Sequence, residues 1–305
     1  MIKAVTITNY IGESVKINLF EADPKHGFII ESIDGLGPAK AVINMTDMAT
    51  SDGSMYNSAR LEKRNIVMRL RLTYAPDIET SRQRTYKYFP IKRPITFMIE
   101  TDNRTAAITG YVESNEPDIF SSDETVAISI VCDDPYFYSA GKDGVNVTTF
   151  TGMLPQFEFP FENDDLDNPV IELGTIENET EKNIYYSGDA EVGIVINIHA
   201  VGDARNITII NANTREQMKI NTDLIQTFTG KKFDIGDTIV ISTVRGDKYV
   251  RLIRSGKVTN ILNCISRDSD WFQLRKGDNW FVYDCDDGVE FLEFQIENRV
   301  IYEGV

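Results

Sequence analysis

The chain has 305 residues, 42% of them hydrophobic, with 31 Lys and Arg against 47 Asp and Glu for a net charge of −16. That much apolar material excludes a disordered chain, and that much negative charge repels a phosphate backbone and disfavours duplex binding. Single cores stop growing at roughly 250 to 300 residues, so the length suits two domains; residues 1–150 hold 16 basic and 20 acidic groups, leaving 15 and 27 for the remainder.

Met1 to Thr8 reads as a strand, not as a basic and apolar leader, and no run approaches the 18 apolar residues of a membrane span, so neither a signal peptide nor membrane insertion is expected. Gly35-Leu36-Gly37-Pro38 lacks the third glycine and following helix of a dinucleotide loop and reads as a turn. Met45 to Arg64 is polar, contains Asp52-Gly53, and is expected to form a loop or arm. Strict alternation follows: Met68, Leu70, Leu72 and Tyr74 oppose Arg69, Arg71 and Thr73, a half-buried strand. Between Asp77, a good N-cap after Pro76, and Phe89, which Pro90 ends, the pattern predicts a helix of about three turns with Ile78, Tyr86 and Phe89 on one face and Arg82, Arg84 and Lys87 on the other. Ile95-Phe97-Ile99, Ile108-Gly110-Val112 and Val126-Ile128-Ile130-Cys132 restore the strand period.

Residues 139–169, with Asp164, Asp165 and Asp167, are weakly periodic, which places domain one at 1–140, a linker at 141–152 and domain two at 153–305. Alternation returns in Val192-Ile194-Ile196-Ile198, Ile207-Ile209, Ile239-Ile241 and Leu292-Phe294-Ile296. Turn signals at Asn211–Asn213, Gly246-Asp247, Ser255-Gly256 and Asp287-Gly288 separate short strands, the pattern of a β-sandwich. The expected fold class is mainly β: an N-terminal sandwich or split barrel with one short helix, then a second sandwich.

The chain offers little catalytic material. His26 falls in the turn-like Asp23-Pro24-Lys25-His26-Gly27 and His199 on the polar side of its strand, neither beside a ligand at metal spacing, so no catalytic residue, cofactor site or metal site is expected and the protein is read as a non-enzyme. The odd set Cys132, Cys264 and Cys285 fits reduced thiols. Asp284-Cys285-Asp286-Asp287-Gly288 fails as a calcium loop at its fifth position and reads as a solvated hairpin turn. Trp271 and Trp280, with Phe272, Phe281 and Tyr283, form either a sugar-stacking platform or sandwich core, the core being the commoner use of strand aromatics.

Charge is patterned along the first domain. Residues 60–93 hold ten basic and three acidic groups, and residues 113–134 seven acidic and no basic ones. Three readings stand: the patches meet within one subunit, they are solvated faces, or they join identical copies head to tail, with Arg60, Arg64, Arg82, Arg84 and Lys87 facing Glu113, Glu116 and Asp118.

Ordered motifs run from Gly35-Leu36-Gly37-Pro38-Ala39-Lys40-Ala41 through Asp52-Gly53, Arg64-Asn65-Ile66-Val67 and the Ile78 to Pro90 helix. They continue through Thr101-Asp102-Asn103-Arg104, Gly110-Tyr111-Val112-Glu113-Ser114-Asn115-Glu116-Pro117, Ile119-Phe120-Ser121 and Cys132-Asp133-Asp134-Pro135-Tyr136-Phe137. In these the first domain resembles the distal tail proteins of long-tailed phages and related prophage particles, the siphovirus-type tail components. The second half resembles that family's galectin-like sandwich more loosely, through Phe272-Gln273-Leu274, Lys276-Gly277-Asp278-Asn279 and Tyr302-Glu303-Gly304-Val305. The galectin sugar strand His-x-Asn-x-Arg is missing, because Ala200-Val201-Gly202-Asp203 follows His199.

The resemblance implies a structural tail-tip or baseplate component of the virion, made in the bacterial host cytoplasm. Its first domain would form a homo-hexameric ring between the tail tube protein and the tail hub or tail-associated lysin, with DNA passing the acidic lumen unbound. The second domains would carry receptor-binding proteins or arms. The alternative reading is a carbohydrate-binding module assisting host adsorption. Gly53 and Gly110 are expected to need glycine's backbone freedom, and Tyr111 and Phe120 to anchor the domain or its neighbour.

Overall fold

The computed structural model describes residues 1–19, 26–49, 52–74, 77–140, 144–155 and 174–305; Asp23 to Lys25, Pro76 and the acidic run Asp164, Asp165 and Asp167 lie outside them. The chain divides into two compact units, residues 1–144 with 301–305 and residues 145–300. The second is an insertion in the first. This corrects the sequence-drawn boundary. Part of the expected linker is strand Val145–Thr149, and residues 301–305 belong with unit 1.

Unit 1 comprises β1 (Ile2–Thr8), β2 (Ser14–Asn18), β3 (Phe28–Asp34), β4 (Ala41–Asp47), β5 (Ser54–Leu61), β6 (Arg64–Leu72), α1 (Ile78–Tyr88), β7 (Pro94–Thr101), β8 (Thr105–Pro117), β9 (Thr125–Cys132) and β10 (Phe137–Ser139). Beyond the insertion it is completed by β24 (Ile301–Tyr302). Its main sheet is antiparallel in the order β2-β1-β7-β8-β9-β6-β3, with β10 pairing both β8 and β24. The alternating residues of the sequence line one face and are buried: Met68, Leu70 and Leu72 on β6, Phe97 on β7, Ile128 and Ile130 on β9. Tyr74 breaks the expectation, lying past the end of β6 and 76% exposed.

Helix α1 begins where expected, the Asp77 carboxylate accepting from the Thr80 amide at 2.8 Å and filling one of the donors a helix start leaves open. Of its expected inner face, Phe89 is buried and Ile78 packs against the core, but Tyr86 does not face inward. Ser81, Thr85 and the capping Phe89 face inward, whereas Tyr86 is exposed. Small residues win because the helix lies close to its neighbours: Ser81 Oγ donates to the Thr73 carbonyl at 2.9 Å. Gly53 has a left-handed φ of +98°, as expected, but Gly110 is needed for space, since a Cβ there would meet Cys132 Sγ at 2.7 Å.

Unit 2 comprises β11 (Val145–Thr149), β12 (Thr151–Pro155), β13 (Gly174–Asn178), β14 (Glu181–Tyr186), β15 (Val192–Ala200), β16 (Arg205–Asn211), β17 (Glu216–Ile220), α2 (Thr222–Thr229), β18 (Thr238–Ser242), β19 (Tyr249–Arg254), β20 (Lys257–Asn260), β21 (Gln273–Leu274), β22 (Gly277–Asp287) and β23 (Leu292–Arg299). One sheet runs β11-β23-β15-β18-β19-β20 and a second β14-β22-β16-β17. Ile194, Ile196 and Ile198 on β15, Ile207 and Ile209 on β16, and Phe294 on β23 are buried. Phe150, Tyr283 and Phe294 form a ring cluster, Tyr283 stacking on Phe294 at 4.7 Å. Helix α2 was not expected, although Asn221 caps its start and Gly230, at φ +78°, ends it. Asp237 is buried and pairs two-pronged with Arg254, which also donates to the Lys232 carbonyl at 2.6 Å.

In unit 1 the decisive contact is Arg64, which is 3% exposed and donates to backbone carbonyls. Nε donates to the Pro135 carbonyl at 2.8 Å, Nη1 to Gly35 at 2.6 Å and also to Gly37, and Nη2 to Glu303 at 2.6 Å. Its guanidinium lies 4.5 Å from the Phe137 ring centroid. Three segments far apart in sequence are thereby tied to the start of β6. Replacing Arg64 with Ala strands these buried acceptors, so unit 1 should lose about 3 kcal/mol or more. Arg64→Lys should recover only part, because an ammonium is a point donor without the guanidinium's fork. Both tryptophans, Trp271 and Trp280, sit in unit 2. Urea titration by circular dichroism should therefore show an early transition that tryptophan fluorescence misses; coincident, unshifted curves would reject the clasp.

Candidate assembly surface

The eight charged positions expected at a subunit contact do not form one surface. Arg64 is interior, which removes it from the basic patch. Arg82 pairs with Glu124 at 3.2 Å, their side chains 19% and 14% exposed, so the basic and acidic stretches meet here inside one unit. Lys87 pairs with Glu13 at 2.7 Å, and this contact raises the lysine and lowers the glutamate from their ordinary values. Glu113 accepts from Ser129 Oγ at 3.0 Å. Arg60, Glu116 and Asp118 are exposed and Arg84 is partly buried.

A feature of different chemistry stands out. Strands β4 and β5 form a two-stranded ribbon of their own, solvent-exposed over nearly every residue. Register pairs Ala41 with Leu61, Ile43 with Ala59 and Met45 with Tyr56, a bulge after Asn44 keeping the last pair in phase. Side chains alternate across a strand, so these six apolar residues share one face. Ile43, Met45 and Tyr56 are 55%, 57% and 61% exposed. The opposite face is largely polar, with Asn44 Nδ2 donating to Ser58 Oγ at 3.0 Å and Asn57 Nδ2 to Thr46 Oγ1 at 2.6 Å. Elsewhere in unit 1, Phe120 is 99% and Tyr111 50% exposed, so neither anchors its own domain.

The reactive side chains are engaged otherwise. Burial pushes the Cys132 thiol up to about 11 and raises Cys264 and Cys285 as well, leaving no thiolate at neutral pH. His199 Nδ1 lies 2.9 Å from Thr238 Oγ1. The acidic run 284–287 is strand, not a hairpin turn, pairing Cys285 with Ile207 before Gly288 turns at φ +79°. Among the described residues no group of three or more His, Cys, Asp and Glu is placed to hold a metal, and no helix is long and apolar enough to cross a membrane.

Residues 187–295 match the family model described as siphovirus-type tail component, C-terminal domain. This stretch of unit 2 is similar to the C-terminal domain of the siphovirus-type tail components. No curated protein sequence matches it. Among solved structures, it resembles the Dit protein of phage SPP1, described as a paradigm of the hub adsorption apparatus of phages infecting Gram-positive bacteria. The identity is 13%, the coverage 98% of this chain and 99% of that one, and the TM-score 0.62, a likeness of fold across both units. Chains of the phage P2 baseplate in its activated conformation with Ca and with Sr align at 10% identity, covering 98% and 97% of both chains, each with a TM-score of 0.42.

The Arg82–Glu124 contact yields a stability test. Arg82→Glu should cost unit 1 on the order of 1–3 kcal/mol by facing two carboxylates together in a half-buried site. Adding Glu124→Arg should restore much of it, while Arg60→Glu changes nothing; a urea series lacking that rescue would place the contact elsewhere. Hydrogen bonds from Thr80 hold the Asp77 carboxyl below the usual aspartate range. A carboxyl lowered on folding stabilises above its unfolded pKa and loses that contribution as pH falls through the lowered value. The melting difference between wild type and Asp77→Ala should therefore be largest at neutral pH and shrink in acid, and a gap unchanged across that range would contradict the cap.

Proposed function

We propose that this protein is a non-catalytic adaptor at the distal end of a phage tail, in which unit 1 closes a homo-hexameric ring through the β4–β5 arm. The observation that carries the reading is the arm's uncovered apolar face. A two-stranded hairpin is marginal alone in water, and an apolar ribbon face held away from its own core invites association. A second copy is the occupant that every assembly supplies, and a head-to-tail contact of this kind closes into a ring when its rotation allows. Arg60 on the arm, with Arg84, Glu113, Glu116 and Asp118, then supplies register and partner choice at the rim, and exposed Phe120 and Tyr111 supply apolar anchors.

In this reading the ring joins the tail tube protein to the tail hub or tail-associated lysin. Its acidic lumen passes DNA without binding it, and unit 2 serves receptor-binding proteins or arms. The protein is made in the host cytoplasm, resides in the virion, and needs neither cofactor nor membrane insertion. The match of residues 187–295 to the siphovirus-type tail component model supports this assignment, and the fold likeness to a protein described as a paradigm of hub adsorption apparatus agrees with it.

Negative-stain images of concentrated protein, alone and with its tail neighbours, should show a sixfold annulus. Met45→Asp with Tyr56→Asp should shift the mass to that of one chain without changing the urea midpoint of unit 1. A wild-type protein that stays a single particle under all these conditions would overturn the proposal.

A further inference from the structure

The outer face of the β14-β22-β16-β17 sheet carries an aromatic feature that the adaptor reading leaves unused. Of the sequence-noted aromatics, Phe272, Phe281 and Tyr283 are core, whereas Trp280 is 44% exposed and Tyr185 68%. On β22 the inward Phe281 and Tyr283 alternate with outward Trp280 and Val282. Register places Asn183 opposite Trp280 and Tyr185 opposite Asp278, so the two exposed rings are diagonal neighbours on adjacent strands.

The polar groups beside them are fixed in place. Asn183 Nδ2 donates to Asp278 Oδ1 at 2.8 Å, and its Oδ1 accepts from the Asn279 amide at 3.1 Å. The Trp280 amide donates to Asn213 Oδ1 at 2.6 Å, tying down the backbone that carries the indole. On the other flank of Trp280, Ala212 donates its amide to the Trp280 carbonyl at 2.8 Å, and its exposed methyl leaves space beside the ring.

We propose that this face binds a neutral glycan chain, with a pyranose stacked on Trp280, a second unit on Tyr185, and ring hydroxyls meeting the Asn183–Asp278 pair. A sugar ring offers one apolar C–H face and polar edges. It is matched by an open aromatic face with a few fixed amide and carboxylate groups beside it. A protein partner is a poorer match, because interface cores need contiguous apolar area, and beside Trp280 the outward side chains are the small Ala212, the partly buried Val282 and Ile210, and the polar Asn183 and Asp278. Exposed Glu181, Asp278 and Asp284 turn away phosphate and uronate chains. The proposal is independent of the ring, since it uses unit 2 alone.

The test uses the full chain carrying Trp271→Phe, which makes Trp280 the one indole reporter. Chitohexaose, cellohexaose and maltohexaose are titrated, with oligogalacturonate as the anionic comparison and calorimetry as a second readout. At least one neutral hexasaccharide should change Trp280 emission saturably, with a Kd on the order of 1 mM. In calorimetry of the otherwise native chain, Trp280→Ala should weaken that binding roughly tenfold or more and Tyr185→Ala severalfold, with unchanged circular dichroism. The proposal fails if none of the three neutral sugars binds below about 10 mM, if Trp280→Ala binds as well as wild type, or if oligogalacturonate binds equally.

Discussion

A buried guanidinium surrounded by backbone carbonyls is the constraint on which unit 1 depends. A lone cation in the interior is costly unless its N–H groups find acceptors, and Arg64 directs four of its five at carbonyls drawn from the β3–β4 turn, the entry to β10 and residue 303. Burial lowers the Arg64 pKa, but an arginine so far above neutrality stays charged, so these carbonyl bonds are charge-assisted at any working pH. The same turn demands glycine: at Gly35, with φ +89°, a Cβ would sit 2.2 Å from the Asn65 carbonyl oxygen. The clasp therefore fixes the root from which the β4–β5 arm departs.

Much of this architecture was legible in the residues because alternation is a local signal. Where a strand buries one face, its apolar residues recur at period two however the sheet is wired, and β6, β7, β9, β15 and β23 show it. What stayed hidden depends on partners distant in the chain. Arg64 stands in a row of basic residues, and nothing nearby distinguishes an interior cation from a surface one. The inner face of α1 places the small polar Ser81 and Thr85 beside Ile78 and Phe89, and the polar pair carries no hydrophobic period. Helix α2 was missed despite its Asn221 and Gly230 caps, since eight residues hold too few turns for a period to register. Residues 301–305 read as the tail of domain two because β24 is only two residues long.

The assembly surface shows the same division. Opposite charges placed near each other by the fold neutralise within the unit, as Arg82 and Glu124 do, and such pairs are spent before a neighbour arrives. The arm's apolar face is a better guide to association, because its exposure has no internal remedy. Its signal was present in Ala41, Ile43, Met45, Tyr56, Ala59 and Leu61, but the bulge after Asn44 shifts the period between the strands, so the shared face emerges only from the register.

The insertion of unit 2 raises the question of how a two-residue strand holds its place. Pairing Tyr138 with Ile301 closes an excursion of roughly 160 residues, which for a flexible chain costs about 4–5 kcal/mol of loop entropy. Two backbone pairings and the Arg64 contact would be hard pressed to offset that. Unit 2 removes most of the cost by its own folding: β11 and β23 are antiparallel, and their register brings Val145 opposite Arg299. The two ends of the insertion are thus already within pairing distance, and β24 has one residue, Val300, to cross before meeting β10. The short final strand becomes affordable only after the inserted sandwich has formed. Integrity of unit 1 is therefore coupled to that of unit 2, while loops and faces of the insertion far from its two ends can vary without disturbing the closure.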